Sequence, residues 1–312
     1  VKLFGISTGT FHTWVIDTQL SCSKSFFKKC NRIYPNQITP LEVNNIKKAL
    51  RDPKTAHWPI NAVYQNGIRE NKITTSLNTF YKINKVLGIR KKKDLIKKKR
   101  YKMGIRASAP NQIWHADITK VKTKDGKMYC VYLVIDNFSR KILSYAILNK
   151  VSGLITTQTI MEAYSKALIL AKKQNLELNV KLIVDGGTEN NNIHIDGFIN
   201  QNQINIEKLV ALKDINCSNS MIERANRTLK YRYIYVKEPR DLKHLKRILS
   251  YFIKDYNLAR PHGQLYGLTP NEAWMGLKPD REHKKSIIEK AKANRLEHNK
   301  QNRCNKCVEI VK

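Results

Sequence analysis

The sequence predicts an α/β domain with a mixed five-stranded sheet flanked by helices, preceded by an all-α region. Three observations carry this expectation. From residue 113 onward, short apolar, β-branched runs alternate with helical patterns in the order β-β-β-α-β-α-β-α. Before residue 90, short helical patterns are punctuated by proline and glycine. Between the two regions, eight of the eleven residues from Arg90 to Arg100 are basic.

The elements follow in order. Gly5 supplies a turn, Ser7 an N-cap, and Thr8 to Val15 a helix. Phe11 and Trp14, at i and i+3, read as a small core stripe, while Thr8, Thr10, His12 and Thr13 have the residue types that touch bases and phosphates. Pro40 and Leu41 open a helix to Leu50, Pro59 opens another through Tyr64 with Gly67 as punctuation, and a third runs from about Ser76 to Val86, stopped by Gly88. Three short helices, the last polar, resemble a helix-turn-helix unit, although helices this short also occur in bundles that only pack. Ala109-Pro110-Asn111 marks the start of the sheet domain. Strands are expected at 113–119, 128–135, 142–148, 180–184 and 206–212, with the turn Lys124-Asp125-Gly126-Lys127 between the first two. Helices are expected at 154–172, near 193–201, and from Ser218 onward. The resulting boundaries are a partial helix-turn-helix at 1–30, a second such region at 38–89, a basic linker at 90–110, the sheet domain at 111–280 and a basic tail at 281–312.

Charge narrows the partner. The chain of 312 residues holds 58 Lys and Arg against 25 Asp and Glu, a formal net charge of +33. Self-repulsion of that size opposes compaction, and a polyphosphate offsets it best, through counterion release. Lys91, Lys92, Lys93, Lys97, Lys98, Lys99 and Arg100 then serve as both linker and phosphate clamp. No run of about 18 apolar residues is present, so no spanning helix and no membrane role are expected. Six cysteines are too few and too scattered for a disulfide scaffold and fit a reducing compartment. Cys304 and Cys307 form a lone CxxC that needs a second half-site to hold zinc; Cys22 and Cys30 are spaced poorly for it.

Three acids stand in chemically suggestive settings: Asp117 in Trp114-His115-Ala116-Asp117-Ile118-Thr119, Asp185 in Val184-Asp185-Gly186-Gly187, and Glu223 in Asn219-Ser220-Met221-Ile222-Glu223-Arg224. Singly, each has a structural explanation: a strand-end cap, a tight turn, and a first-turn helix acid. Jointly, they can converge. Sites in open α/β sheets form outside the carboxyl ends of strands, and the first and fourth strands can be neighbours. Phosphodiester chemistry needs an activated attacking oxygen and a neutralised leaving oxygen, and two Mg²⁺ ions held by carboxylates provide both. Asp136 and Glu189 are nearby acids that could assist. His115 shares the strand face of Asp117, with Trp114 opposite, toward the core. His262 reads as a turn or packing residue.

The segments WHADIT, VIDNFSR, VDGGTENN and NSMIERANRTLKYRY resemble the DDE catalytic domain of bacterial insertion-sequence transposases and retroviral integrases. Tyr256-Asn257-Leu258-Ala259-Arg260-Pro261-His262 and Gly267-Leu268-Thr269-Pro270 resemble the transposases' C-terminal segment. The resemblance covers about residues 110–280. It implies an RNase H-like fold, metal-dependent DNA strand transfer with Mn²⁺ able to replace Mg²⁺, a multimer on DNA, and a bacterial cytoplasmic, nucleoid-associated setting. It places the catalytic and metal-binding triad on Asp117, Asp185 and Glu223, and a matching cation on Lys230. Helical spacing sets Glu223, Arg227 and Lys230 on one face, with Arg224 beside them, ready to hold DNA. Two departures stand out: 37 residues separate Asp185 from Glu223, and Asn137 follows Asp136 where many relatives carry a second acid. Two rival classes remain, a DNA-binding regulator with an inactive catalytic domain and an RNase H-type nuclease. The first should lack an acid of the triad; the second has no need of helices that recognise the element's terminal repeats.

Overall fold

The computed structural model describes residues 2–19, 26, 37–90, 104–187, 190, 193–201, 204–211, 213–215 and 219–302. Lys91 to Arg100, Glu189, Cys22, Cys30, Cys304 and Cys307 lie outside the described residues. In chain order the helices and strands are α1 (Thr8–Gln19), α2 (Pro40–Arg51), α3 (Ile60–Arg69), α4 (Leu77–Leu87), β1 (Ile113–Lys122), β2 (Met128–Asp136), β3 (Ile142–Leu148), α5 (Gly153–Lys173), β4 (Val180–Val184), α6 (Ile193–Gln201), β5 (Ile206–Val210), α7 (Ser220–Leu229), α8 (Tyr235–Lys237), α9 (Leu242–Lys254), α10 (Pro270–Trp274) and α11 (Arg281–Gln301).

The chain divides into two compact units. The helical unit comprises residues 1–56, 66–92 and 280–312, so the basic C-terminal stretch is helical through α11 and groups with the N-terminal helices. The Thr39 hydroxyl accepts from the Glu42 amide while the Glu42 carboxylate accepts from the Thr39 amide, which closes a capping box at the start of α2. The same carboxylate also takes three hydrogen bonds from Arg295 of α11. Ser76 caps α4, and Gly88, at φ 63°, ends it in the left-handed region. Gly67 does not end a helix. It lies inside α3, where a Cβ would stand 2.2 Å from Ile73 Cγ1, so glycine permits close packing there. Phe11 and Trp14 are not core residues either: they are 45% and 55% exposed. Two rings at i and i+3 make only a narrow apolar stripe on a helix whose described residues include none that is buried.

The sheet unit comprises residues 57–65 and 93–279. Its sheet has the order β3-β2-β1-β4-β5; β1, β2 and β3 are antiparallel neighbours, whereas β1, β4 and β5 are parallel. This is the RNase H-like arrangement. Both faces are covered, as a sheet with parallel strands requires. Trp114, Ala116, Tyr132 and Val134 point to one core with residues of α5 and α6. Val131, Leu133 and Ile135 point to the other, packed by α7 and α9. The even alternation puts His115 and Asp117 on the α7 face. Among the described residues, no helix is long and apolar enough to cross a membrane.

Candidate active site

Asp117 sits midway along β1, with its side chain on the face that α7 covers. The β1–β4 register pairs Ala116 with Val184. Asp117 and Asp185 therefore follow paired residues on adjacent parallel strands, and Asp185 leaves β4 at its carboxyl end. Both are half-buried. This is the edge at which open α/β sheets build their sites.

Two asparagines fasten α7 to this edge. Asn219, at the N-cap, donates from Nδ2 to the Ala116 carbonyl at 3.0 Å, and its Oδ1 lies 2.7 Å from His115 Nδ1. Asn226 donates from Nδ2 to Asp117 Oδ2 at 2.8 Å. Residues 219, 223 and 226 fall on one helical stripe. Glu223 is thus held between the two fastening points, although its own side chain is exposed. Asp117 Oδ1 accepts from the Ile118 amide at 2.7 Å, so both oxygens of this carboxylate are oriented. Neither asparagine was legible as a functional residue in the sequence, but the interval from Glu223 to Asn226, one helical turn, was an available signal.

His115 is structural. It is 1% exposed, its Nε2 faces Asn137 Nδ2 at 2.9 Å, and burial pushes its pKa down to about 4 against the opposing pull of the Asn219 bond. Asn137 also accepts from the Ala107 amide, so this residue has a packing role. Asp136 lies elsewhere: it pairs with Trp114 across the sheet and accepts from the Asn111 and Ser139 amides and from the Ser139 hydroxyl. Burial raises its pKa to about 6, against those hydrogen bonds. A carboxylate so occupied is a turn-former. His262 is a packing residue edge-on to Tyr256, and its burial holds its pKa well below the usual histidine value. Asn190, from the glycine-rich segment, is fully buried and accepts from the Tyr132 hydroxyl at 2.8 Å, which anchors the chain beyond Asp185.

Cations line the same helix. Arg224 and Arg227 are exposed and Lys230 is half-buried. Thr8, Thr10, His12 and Thr13 are exposed on α1, in the helical unit. Among the described residues, no three His, Cys, Asp or Glu side chains are gathered closely enough to hold a metal ion. The donor set nevertheless suits a hard divalent ion: oxygen ligands only, two of them on adjoining strands and the third on a helix fastened to that edge.

Residues 107–207 and residues 217–270 each match a family model described as integrase core domain. Both matched stretches lie in the sheet unit. Among curated proteins, this chain is similar to the transposase for insertion sequence element IS904 of Lactococcus lactis, at 24% identity over 54% of this chain and 62% of that protein. It is also similar to the transposase InsF for insertion sequence IS3A of Escherichia coli, at 27% identity over 53% of this chain and 54% of that protein. The chain thus spans little more than half the length of these relatives. Among solved structures, the magnesium complex of the HTLV-2 integrase catalytic core domain (trimeric form) aligns with 54% of this chain and 99% of its own at 20% identity, with a TM-score of 0.39. The chain also aligns with a simian T-cell lymphotropic virus intasome structure over 74% of each chain, at 16% identity and a TM-score of 0.45.

Proposed function

We propose that this chain is an insertion-sequence transposase that cuts and joins DNA at Asp117, Asp185 and Glu223. The observation that carries the reading is the meeting of three elements at one sheet edge: Asp117 on β1, Asp185 at the end of β4, and α7, which bonds Asp117 through Asn226 and bears Glu223. The similarity to transposases supports the same class of reaction.

In this reading the three carboxylates hold two Mg²⁺ ions, with Mn²⁺ as a substitute. Such a pair, when bound, would supply activation of the attacking oxygen and neutralisation of the leaving one. The chain supplies the rest. Asn226 and the Ile118 amide fix the Asp117 carboxylate in one orientation. Lys230, Arg227 and Arg224 hold the phosphate backbone beside the acids. Water first attacks a phosphodiester at the element's end and frees a 3′-hydroxyl. That hydroxyl then attacks a target phosphodiester and displaces a target 3′-oxygen. No histidine base is required, in keeping with the burial of His115. The basic stretch Lys91, Lys92, Lys93, Lys97, Lys98, Lys99 and Arg100 tracks the backbone, while Thr8, Thr10, His12 and Thr13 contribute to recognition of the terminal repeats. Two ends brought together call for a multimer. The setting is the bacterial nucleoid.

The test uses purified protein, DNA carrying the element's ends, and Mg²⁺. The unaltered chain is expected to give joined products. Asp117→Ala is expected to give none while still binding DNA. Equal activity from the variant sinks the assignment, and cleavage without joining favours a plain RNase H-type nuclease.

A further inference from the structure

The helix that bears Glu223 continues into an unusual surface. After Leu229 it widens into a π-helical turn, Lys230–Ile234, closed by a hydrogen bond from the Tyr235 amide to the Lys230 carbonyl. Tyr233 and Ile234 point inward and are buried. Tyr231 and Tyr235 point outward, 63% and 57% exposed. Their rings meet edge to face, with centroids 5.2 Å apart at 89°. The Arg227 guanidinium carbon lies 6.0 Å from the Tyr231 ring centre.

Glu223, Arg227, Tyr231 and Tyr235 succeed one another at four-residue steps. In a regular helix of 3.6 residues per turn, such a stripe drifts steadily around the axis. The wide turn, Lys230–Ile234, offsets part of that drift between Tyr231 and Tyr235. The stretch from Arg224 to Lys237 contains five cations and no acid. Exposed aromatic faces interleaved with cations of one sign are the composition of a platform on which bases stack while the backbone is held electrostatically. Bases within a duplex are already stacked and cannot use such faces; unpaired bases can.

We infer that Tyr231 and Tyr235 form a stacking platform for unpaired nucleotides at a DNA end, about two to three turns beyond Glu223 on the same helix. The inference deepens the transposase reading and rests on it for the identity of the DNA. The platform takes bases without regard to sequence, since every base offers a π face, and Arg227 and its neighbours hold the phosphates.

The test measures binding by the full chain in EDTA, so that turnover plays no part. The probes are a blunt duplex and the same duplex with a tail of about four unpaired nucleotides, one of them 2-aminopurine. Tyr231→Ala and Tyr235→Ala are each expected to weaken binding to the tailed duplex by about tenfold and to lose the stacking-induced fluorescence quench, with blunt-duplex affinity within about twofold of the starting chain. Tyr231→Phe and Tyr235→Phe, which keep the ring, should retain both signals. Equal losses on the two probes, no loss on either, or a change in self-association with DNA binding intact would overturn the inference. Since no metal or turnover is involved, failure of the joining reaction leaves this result interpretable, and failure here leaves the joining reaction to be judged separately.

Discussion

At the residue scale, the most informative side chain is Asn226. Its amide holds Asp117 Oδ2 at 2.8 Å, which fixes the direction in which that carboxylate presents its remaining lone pairs. Charge-assisted hydrogen bonds of this kind are among the stronger ones. Asn226→Ala is therefore expected to slow joining by about ten- to a hundredfold through kcat, with DNA affinity unchanged, because the lost bond is worth about 1.5–3 kcal/mol. Steady-state and binding measurements on the same preparation check this; an unchanged kcat removes Asn226 from the machinery. The three acids were singled out in the sequence because each sits in a segment with its own chemistry, an alternating strand, a glycine turn and a helix start, and their joint role is the proposal tested below. Asn219 and Asn226 were missed: the one-turn interval puts Asn226 on the face of Glu223, but nothing local names the backbone carbonyl or carboxylate that each asparagine meets. The tyrosine pair was hidden for another reason. Its edge-to-face contact spans a π-helical turn that nothing in Lys230–Ile234 announces.

At the element scale, strands 142–148 and 180–184 and helix 193–201 coincide with the sequence expectation, because turn residues bound short apolar runs there. The first strand is longer than expected, reaching Lys122, because its outer half alternates and pairs with β2 as far as Met128. Gly67 misled because its role is tertiary: only the approach of Ile73 explains it. The helical unit carries its own test. Arg295 and Glu42 form an ion pair whose side chains are 6% and 13% exposed, and Thr74 donates to the same carboxylate. Burial drives the Glu42 pKa upward, but the bonds from Arg295, Thr74 and the Thr39 amide outweigh it and leave the pKa below the ordinary 4.5. Since the folded value is the lower one, the pair's contribution is present above about 4.5 and is lost as pH falls through the folded value. Glu42→Gln is expected to destabilise the unit by about 2–3 kcal/mol at neutral pH, with the gap narrowing in acid. Denaturation of both proteins at pH 7 and below 4 checks it; a gap constant with pH contradicts the role of the charge.

At the scale of the whole molecule, the net charge of +33 is the dominant fact. It was readable at once, and it set the partner class before any motif did. The proposal that this partner is DNA rests on the acids and the resemblance, because charge alone does not separate a polyphosphate from an anionic surface. If several cations neutralise phosphates together, binding must fall steeply with salt, at about 0.9 log units of affinity per log unit of salt for each phosphate contact. The full chain on duplex DNA is expected to give a slope of about −5 or steeper, as for six contacts, measured by anisotropy over a salt series. A slope near zero contradicts backbone tracking.

The central claim is that Asp117, Asp185 and Glu223 converge on divalent cations. Manganese binding by the full chain with DNA present, followed by the paramagnetic signal of the free ion, tests it most directly. Asp117→Asn and Asp185→Asn are each expected to weaken Mn²⁺ binding by about tenfold or more, while Asp196→Asn, an exposed acid of α6, should leave it unchanged. Equal Mn²⁺ binding by all four proteins would contradict the claim.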